Sequence, residues 1–245
     1  MTHRASRSPE AGPRPNVAQA NQSPRVADGR REEPRLETGT TVVALRASDG
    51  AVLAADRKMS LGGRFTANKD VRKIDRVHPT AAMATSGAVG PAQDVVRSVR
   101  AAAGIYEARR GEPPSMTALS TLAGHHLRGR PVGALLAGVD GSGGHVYEVD
   151  GGGSVVADDY AATGSGMQVA YGVLEGRYDP EAALSSAREA AVDAVLAASE
   201  RDTASGNGVT VARVTAAGVD VREAGPGTDP ADDEATDGTD GEVGA

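Results

Sequence analysis

The chain has 245 residues and a formal net charge of −7, with no cysteine, no tryptophan and one phenylalanine. The lack of cysteine excludes disulfides, thiol catalysis and thiolate metal sites. The sequence contains no run of 18 apolar residues, so we expect no membrane-spanning helix. Residues 1–39 carry a charge of +2 and the remainder carries −9, so nucleic acid is not an expected partner. With so few aromatic residues, we expect a core of Ala, Val, Leu and Ile.

The two ends of the chain differ in composition from the middle. Residues 1–39 hold seven Arg and five Pro with almost no apolar run, and residues 225–245 hold seven acidic residues and neither Lys nor Arg. Both compositions are typical of disordered segments. The first segment has no apolar h-region, so it is not a secretory signal, which favours a cytoplasmic protein. We expect one folded domain over 40–224, between a leader and an acidic tail.

The first half of this domain begins with a hairpin signal. The elements predicted there are, in chain order, strands at 41–47 and 51–57, shorter strands within 64–86, and helices over 91–110 and 115–127. Asp49-Gly50 is the hairpin turn. Gly111 is the predicted stop of the first helix, and Ser115 is the predicted N-cap of the second.

The second half repeats the same grouping of strands and helices. The elements predicted there are strands at 132–139, 144–150 and 153–158, helices over 166–177 and 180–199, and a closing hairpin of 209–214 with 219–222. Asp179 is the expected N-cap of the last helix, with Pro180 at its first position. Grouped strands and grouped helices do not fit strict βαβ alternation. They predict an α+β fold of two packed antiparallel sheets, with helices covering both outer faces.

A candidate for chemistry lies at the boundary between leader and first strand, Gly39-Thr40-Thr41. A cut there would expose an amino-terminal threonine, which carries a nucleophilic hydroxyl and a basic α-amine on one residue. A free α-amine has a reference pKa of about 7.7–8.0, so in its neutral form it can accept the hydroxyl proton. The alternative is that both threonines simply begin a strand.

Other residues could complete such a site, although each also has a structural interpretation. Asp56 could be a turn acid, Lys73 a solvated base, Ser165 a helix cap, and 202–206 the turn that ends a helix. Together they could assemble a site. A buried lysine would lower the pKa of the amine, a carboxylate would keep that lysine charged, and a backbone N–H at Ser86-Gly87 could bind an oxyanion.

The chain from about 38 to 222 resembles the proteasome β subunits, especially the haloarchaeal ones, of the N-terminal-nucleophile hydrolase superfamily. The stretches that carry the resemblance are Thr38 to Val43, Ala54 to Arg57, Lys69 to Ile74, Tyr106 to Gly111, Thr163 to Gly166, Tyr171 to Glu175 and Glu200 to Gly208. The departures are Val42, Ala44, Ser86 and one extra residue within 62–65.

The resemblance implies a four-layer αββα sandwich and a role for each matching residue. Thr40 would be the nucleophile, exposed when autocatalytic cleavage between Gly39 and Thr40 removes the propeptide 1–39. The remaining implied catalytic set is Asp56, Lys73, the oxyanion donor Gly87, and Ser165, Asp202 and Ser205 around the amine and water. Extended substrate would pair with the backbone at Ser60. The first substrate pocket would include Thr85 and Val89, with Met59 and Val71, and no metal or cofactor is implied.

The resemblance also implies partners and an activity. Seven-membered β rings would stack face to face between rings of α subunits, and an ATP-dependent unfoldase would feed unfolded proteins to a threonine endopeptidase. Two alternatives stay open. One is a non-catalytic ring subunit paired with an active paralogue, and the other is an independent amidase acting on a small molecule.

Overall fold

The computed structural model describes residues 39–224, so the predicted tail 225–245 and all of the predicted leader except Gly39 lie outside the described residues. The elements of the described part are, in chain order, β1 (Thr41–Ala47), β2 (Gly50–Asp56), β3 (Met59–Leu61), β4 (Phe65–Asn68), β5 (Ile74–His78), β6 (Ala81–Gly87), α1 (Val89–Arg110), α2 (Met116–Leu127), β7 (Val132–Asp140), β8 (Gly143–Val149), β9 (Val155–Asp158), β10 (Tyr160–Gly164), α3 (Met167–Arg177), α4 (Leu184–Ser199), β11 (Val209–Thr215) and β12 (Gly218–Ala224).

Two five-stranded antiparallel sheets form the centre of the described part. Their strand orders are β10-β1-β2-β11-β12 and β5-β6-β7-β8-β9, and β3 and β4 form a small separate hairpin. One buried cluster fills the space between the two sheets. A second cluster lies between the first sheet and helices α3 and α4, and a third lies between the second sheet and helices α1 and α2. The predicted αββα sandwich is confirmed.

The alternating faces of β1 show how an aliphatic chain builds these layers. Val42 and Ala44 lie in the cluster between the sheets, whereas Val43 and Leu45 pack with α3 and α4. Both faces of the strand are therefore buried, which explains its unbroken apolar run. Small alanines on the buried side of α4 let that helix approach the sheet closely.

The start of the last helix differs from the prediction. α4 begins at Leu184, not at Pro180, and Asp179 instead accepts a hydrogen bond from the Glu181 N–H within a turn. The carboxylate that caps the helix comes from the β1–β2 turn, where Asp49 Oδ1 lies 2.9 Å from the Leu184 N. A remote side chain thus satisfies the orphan N–H that a local cap normally serves.

Two short strands, β3 and β10, are additions to the predicted elements. β10 follows β9 after the single residue Asp159, yet it pairs with β1 in the other sheet. The chain therefore crosses between the sheets at Asp159, whose carbonyl accepts from the Arg46 N–H. So short a crossover leaves no Gly or Pro punctuation in the sequence to mark it.

Candidate active site

The start of β1 and the end of β2 meet at one edge of the first sheet. The two strands form a hairpin, so Thr41 lies beside Asp56, and its N–H donates to Asp56 Oδ1 at 2.9 Å. β11 begins opposite Asp56, which carries the preceding turn, residues 202–208, to the same edge. Three segments distant in sequence therefore converge around Thr40.

Asp56 is fully buried and accepts hydrogen bonds from four groups. The Lys73 ammonium lies 2.6 Å from Oδ1, and the other donors are the N–H groups of Thr41, Lys58 and Gly206, all within 3.1 Å. Burial raises the pKa of the Asp56 carboxyl, and the Lys73 charge opposes this rise. Burial likewise lowers the pKa of Lys73, against the attraction of Asp56. The pair is thus a compensated buried ion pair rather than the surface charges of the alternative interpretation.

Ser165, Asp202 and Ser205 form one hydrogen-bonded chain. Both serine hydroxyls donate to Asp202 Oδ2 at 2.6 Å, and Ser165 Oγ also accepts from the Thr40 N–H at 3.1 Å. Ser205 Oγ lies 2.8 Å from Thr41 Oγ1. The interpretation of Ser165 as a helix cap is wrong, because α3 is capped at Gly166 without any side-chain bond.

The bond between Gly39 and Thr40 lies inside this arrangement. Thr40 is only 2% exposed, and its hydroxyl donates to the Gly39 carbonyl oxygen at 2.7 Å. The Gly39 N–H donates to Ser60 Oγ at 3.1 Å. A Cβ added to Gly39 would lie 1.8 Å from Ala204 Cβ, so a glycine is required for this placement.

Gly87 occupies a conformation that side chains disfavour. Its φ is +99°, and an added Cβ would lie 2.5 Å from the Pro131 carbonyl oxygen. The hydroxyl of the preceding Ser86 lies 3.3 Å from Thr163 Oγ1. Glycine at the end of β6 therefore lets the backbone turn beside Thr40, where its N–H is the predicted oxyanion donor.

One cavity opens beside Thr40, Lys73 and Gly87. The four residues predicted for a first substrate pocket all line it, namely Met59, Val71, Thr85 and Val89. Ala92 and Val96 of α1 add apolar lining. Ser60 is not among the lining residues, but it contacts Gly39 directly. The structure thus brings the predicted residues together, and substrate binding by them stays a prediction.

Sequence reasoning missed two residues of this site. The first is Thr41, which is fully buried and whose hydroxyl is hydrogen-bonded to the Ser205 hydroxyl. Lys58 donates from Nζ to the Thr203 carbonyl oxygen at 2.6 Å and so holds the 202–206 turn against β2. A signal for Lys58 was present, because it is one of three lysines in a chain with 23 arginines.

A second group of Ser, His and Asp side chains lies at the β7–β8 turn and does not form a catalytic relay. Asp140 Oδ1 and Ser142 Oγ both contact the same ring nitrogen, His145 Nε2, at 3.0 Å. Burial raises the pKa of Asp140, but hydrogen bonds from Ser142 and the Met116 N–H outweigh it and hold that pKa well below its usual range. The cluster joins the turn to the start of α2.

Within residues 39–224, no three metal-binding side chains are grouped, and no helix there has the length and apolarity to span a bilayer. Two packed antiparallel sheets between two helix pairs are the architecture of the N-terminal-nucleophile hydrolase fold. The sequence matches the proteasome subunit family over residues 36–214, and the chain belongs to that family.

Several relatives of the chain are haloarchaeal β-type subunits. The chain is 52% identical to proteasome subunit beta 2 of Haloarcula marismortui over 201 residues, which cover 81% of this chain and 87% of that protein. It is 53% identical to proteasome subunit beta of Halorhabdus utahensis, over 76% of this chain and 81% of that protein. It is 48% identical to proteasome subunit beta of Natronomonas pharaonis, over 76% and 79%. The chain is therefore a proteasome subunit of the haloarchaeal β type.

Proposed function

We propose that the chain is a catalytic β subunit of the 20S proteasome core, a threonine endopeptidase that degrades unfolded proteins to peptides. The observation that carries this proposal is the hydrogen bond from the Thr40 hydroxyl to the Gly39 carbonyl oxygen, beside the buried Lys73–Asp56 ion pair. A structural subunit has no need of a buried ion pair, which is costly to desolvate. We therefore favour a catalytic role over the non-catalytic ring subunit.

The first reaction would be removal of the leader 1–39. The Thr40 oxygen attacks the Gly39 carbonyl carbon, and the hydroxyl proton passes to a base. The carbon–nitrogen bond then breaks, and the Thr40 nitrogen takes up a proton as an amine. Water hydrolyses the resulting ester, which frees the leader's carboxylate and regenerates the hydroxyl. Until then, the leader keeps the α-amine capped as an amide, which would delay activity until the chamber has closed.

The second reaction would be hydrolysis of peptide substrates. The neutral Thr40 amine accepts the hydroxyl proton, and the oxygen attacks the scissile carbonyl carbon. The scissile carbon–nitrogen bond then breaks as the protonated amine returns this proton to the leaving nitrogen, which leaves an acyl-enzyme ester. Water hydrolyses the ester, which releases the second peptide and regenerates the Thr40 hydroxyl. The charge of Lys73 lowers the pKa of the amine by repulsion and favours its neutral form at neutral pH. Gly87 N–H stabilises the oxyanion. Ser165 Oγ accepts a hydrogen bond from the Thr40 nitrogen and donates one to Asp202, so it would orient the amine.

The assembly follows from the family rather than from contacts in a single chain. The β subunits would form stacked heptameric rings between α-subunit rings in the cytoplasm, and an ATP-dependent unfoldase would deliver substrate. Substrate would add as a strand beside Ser60 and place a side chain in the cavity between Val71 and Val89.

The proposal is tested by replacing the nucleophile. Full-length chain is co-assembled with α subunits, and intact mass and fluorogenic peptide hydrolysis are measured. We expect the wild-type chain to begin at Thr40 and Thr40→Ala to retain residues 1–39, form rings and lose peptidase activity. Thr121→Ala makes the same chemical change at an exposed position of α2 and serves as the matched control. Residual activity in Thr40→Ala would refute the assigned nucleophile.

A further inference from the structure

We propose that the Ser60 side chain is a positioning residue for removal of the leader, distinct from any role of the Ser60 backbone in binding substrate. The inference rests on the proposed function, because it concerns the cleavage between Gly39 and Thr40. Ser60 does not touch the reacting atoms. It holds the residue whose carbonyl is attacked.

The contact is a hydrogen bond between two segments 21 residues apart. Ser60 is 1% exposed, and its Oγ accepts from the Gly39 N–H at 3.1 Å. The register of β3 against β4 shifts between Met59 and Ser60, which marks a local irregularity at this point of the strand. The hydroxyl that meets Gly39 therefore lies at a break in regular strand pairing.

The residue before the scissile bond is thereby fixed from three sides. Ser60 holds its N–H, Thr40 Oγ1 contacts its carbonyl oxygen, and Ala204 leaves no space for a side chain. Tethering the N–H limits rotation of the Gly39 backbone and keeps its carbonyl against the nucleophile. Such orientation speeds an intramolecular attack without changing the attacking group.

The contact exists only while the leader is attached, because cleavage removes Gly39 and its N–H. The proposal therefore predicts a split between two activities. Loss of the Ser60 hydroxyl should slow leader removal by a larger factor than it slows peptide hydrolysis, because the mature chain lacks the Gly39 N–H that the hydroxyl contacts. A side chain that merely stabilised β3 would slow both reactions by the same factor.

The test uses Ser60→Ala in two forms of the chain, each co-assembled with α subunits. In the full-length form, the rate of leader loss is followed by intact mass. In the second form, a separate protease cuts a fusion directly before Thr40, so that self-cleavage is not needed. We expect leader loss to slow about 2- to 10-fold, as for one lost hydrogen bond, and the peptidase activity of the pre-cut form to fall by a smaller factor.

Each other outcome has a defined meaning. Leader loss at the wild-type rate in full-length Ser60→Ala overturns the proposal, and so does a pre-cut Ser60→Ala particle that assembles but is inactive. If Ser60→Ala fails to assemble, Ser60→Cys keeps a side chain of similar length with a weaker acceptor, and a larger effect on leader loss than on pre-cut activity is again required. A wild-type chain that keeps its leader would instead refute the proposed function.

Discussion

Removing either member of the Lys73–Asp56 pair should abolish peptidase activity, but the two changes should differ in their effect on stability. In Lys73→Met, Asp56 keeps three backbone N–H donors, those of Thr41, Lys58 and Gly206. In Asp56→Asn, the ammonium of Lys73, 8% exposed, loses the carboxylate that compensates it. The new amide NH₂ group would also face groups that can only donate.

The magnitudes follow from burial. Leaving one charge of a buried pair uncompensated costs about 3–5 kcal/mol, which we expect for Asp56→Asn. At roughly 2–4 °C per kcal/mol for a domain of this size, the midpoint of unfolding should fall by about 6–20 °C. Lys73→Met loses a charged hydrogen bond worth about 1.5–3 kcal/mol, but it also removes the cost of burying an ammonium, so its net loss should be smaller.

The assay is thermal unfolding of assembled particles at one salt concentration, with peptide hydrolysis measured on the same samples. The double variant Asp56→Asn/Lys73→Met provides the matched control. Because it no longer buries an orphan lysine, it should be more stable than Asp56→Asn alone. Equal losses in the two single variants, or strictly additive losses in the double variant, would refute the asymmetry.

Two further predictions concern the leader junction and the half-buried His78. Gly39→Ala should block leader removal, because its Cβ would overlap Ala204; Ala204→Gly in the same chain should restore part of it, as intact mass will show. Normal processing of Gly39→Ala would contradict the placement of Gly39. Burial lowers the pKa of His78, and the opposing charge of Glu107 reduces this shift. Below the ordinary histidine pKa of about 6.5, the unfolded state therefore binds more protons than the folded state. Stability should therefore fall as pH drops through about 6.5, and His78→Gln should reduce that slope in thermal unfolding between about pH 5 and 7.5.

Local signals were enough for most of the sandwich. Asp49-Gly50 between two apolar runs predicts the β1–β2 hairpin, and Ser115 does cap α2, accepting from the Ala118 N–H. The start of α4 could not be read locally, because its cap is the Asp49 carboxylate from another turn. Helix propensities and capping signals depend on residues close together in sequence. This cap depends instead on which distant turn packs against the helix in the folded chain.

The site divides in the same way. Thr40, Asp56 and Lys73 each have an ordinary structural interpretation taken alone, so their combination and the family resemblance indicated them. Thr41 and Lys58 act through contacts with the 202–206 turn, and those contacts arise only when β11 pairs with β2. No spacing within the sequence encodes these contacts, so the folded arrangement was needed to place Thr41 and Lys58 in the site, although the rarity of lysine had already marked Lys58.

The position of Gly39 connects leader removal to substrate hydrolysis. In both proposed reactions the Thr40 oxygen must reach a carbonyl carbon at the same place, so groups proposed to act on Thr40 itself would serve both. Asp56 and Lys73 belong to that class, and no substitution there should separate the two reactions. Ser60 contacts the leader's own N–H instead, so substitution of its side chain should separate them. A chain whose leader removal is slowed more than its mature peptidase activity would show that maturation has its own positioning residue within a shared active site.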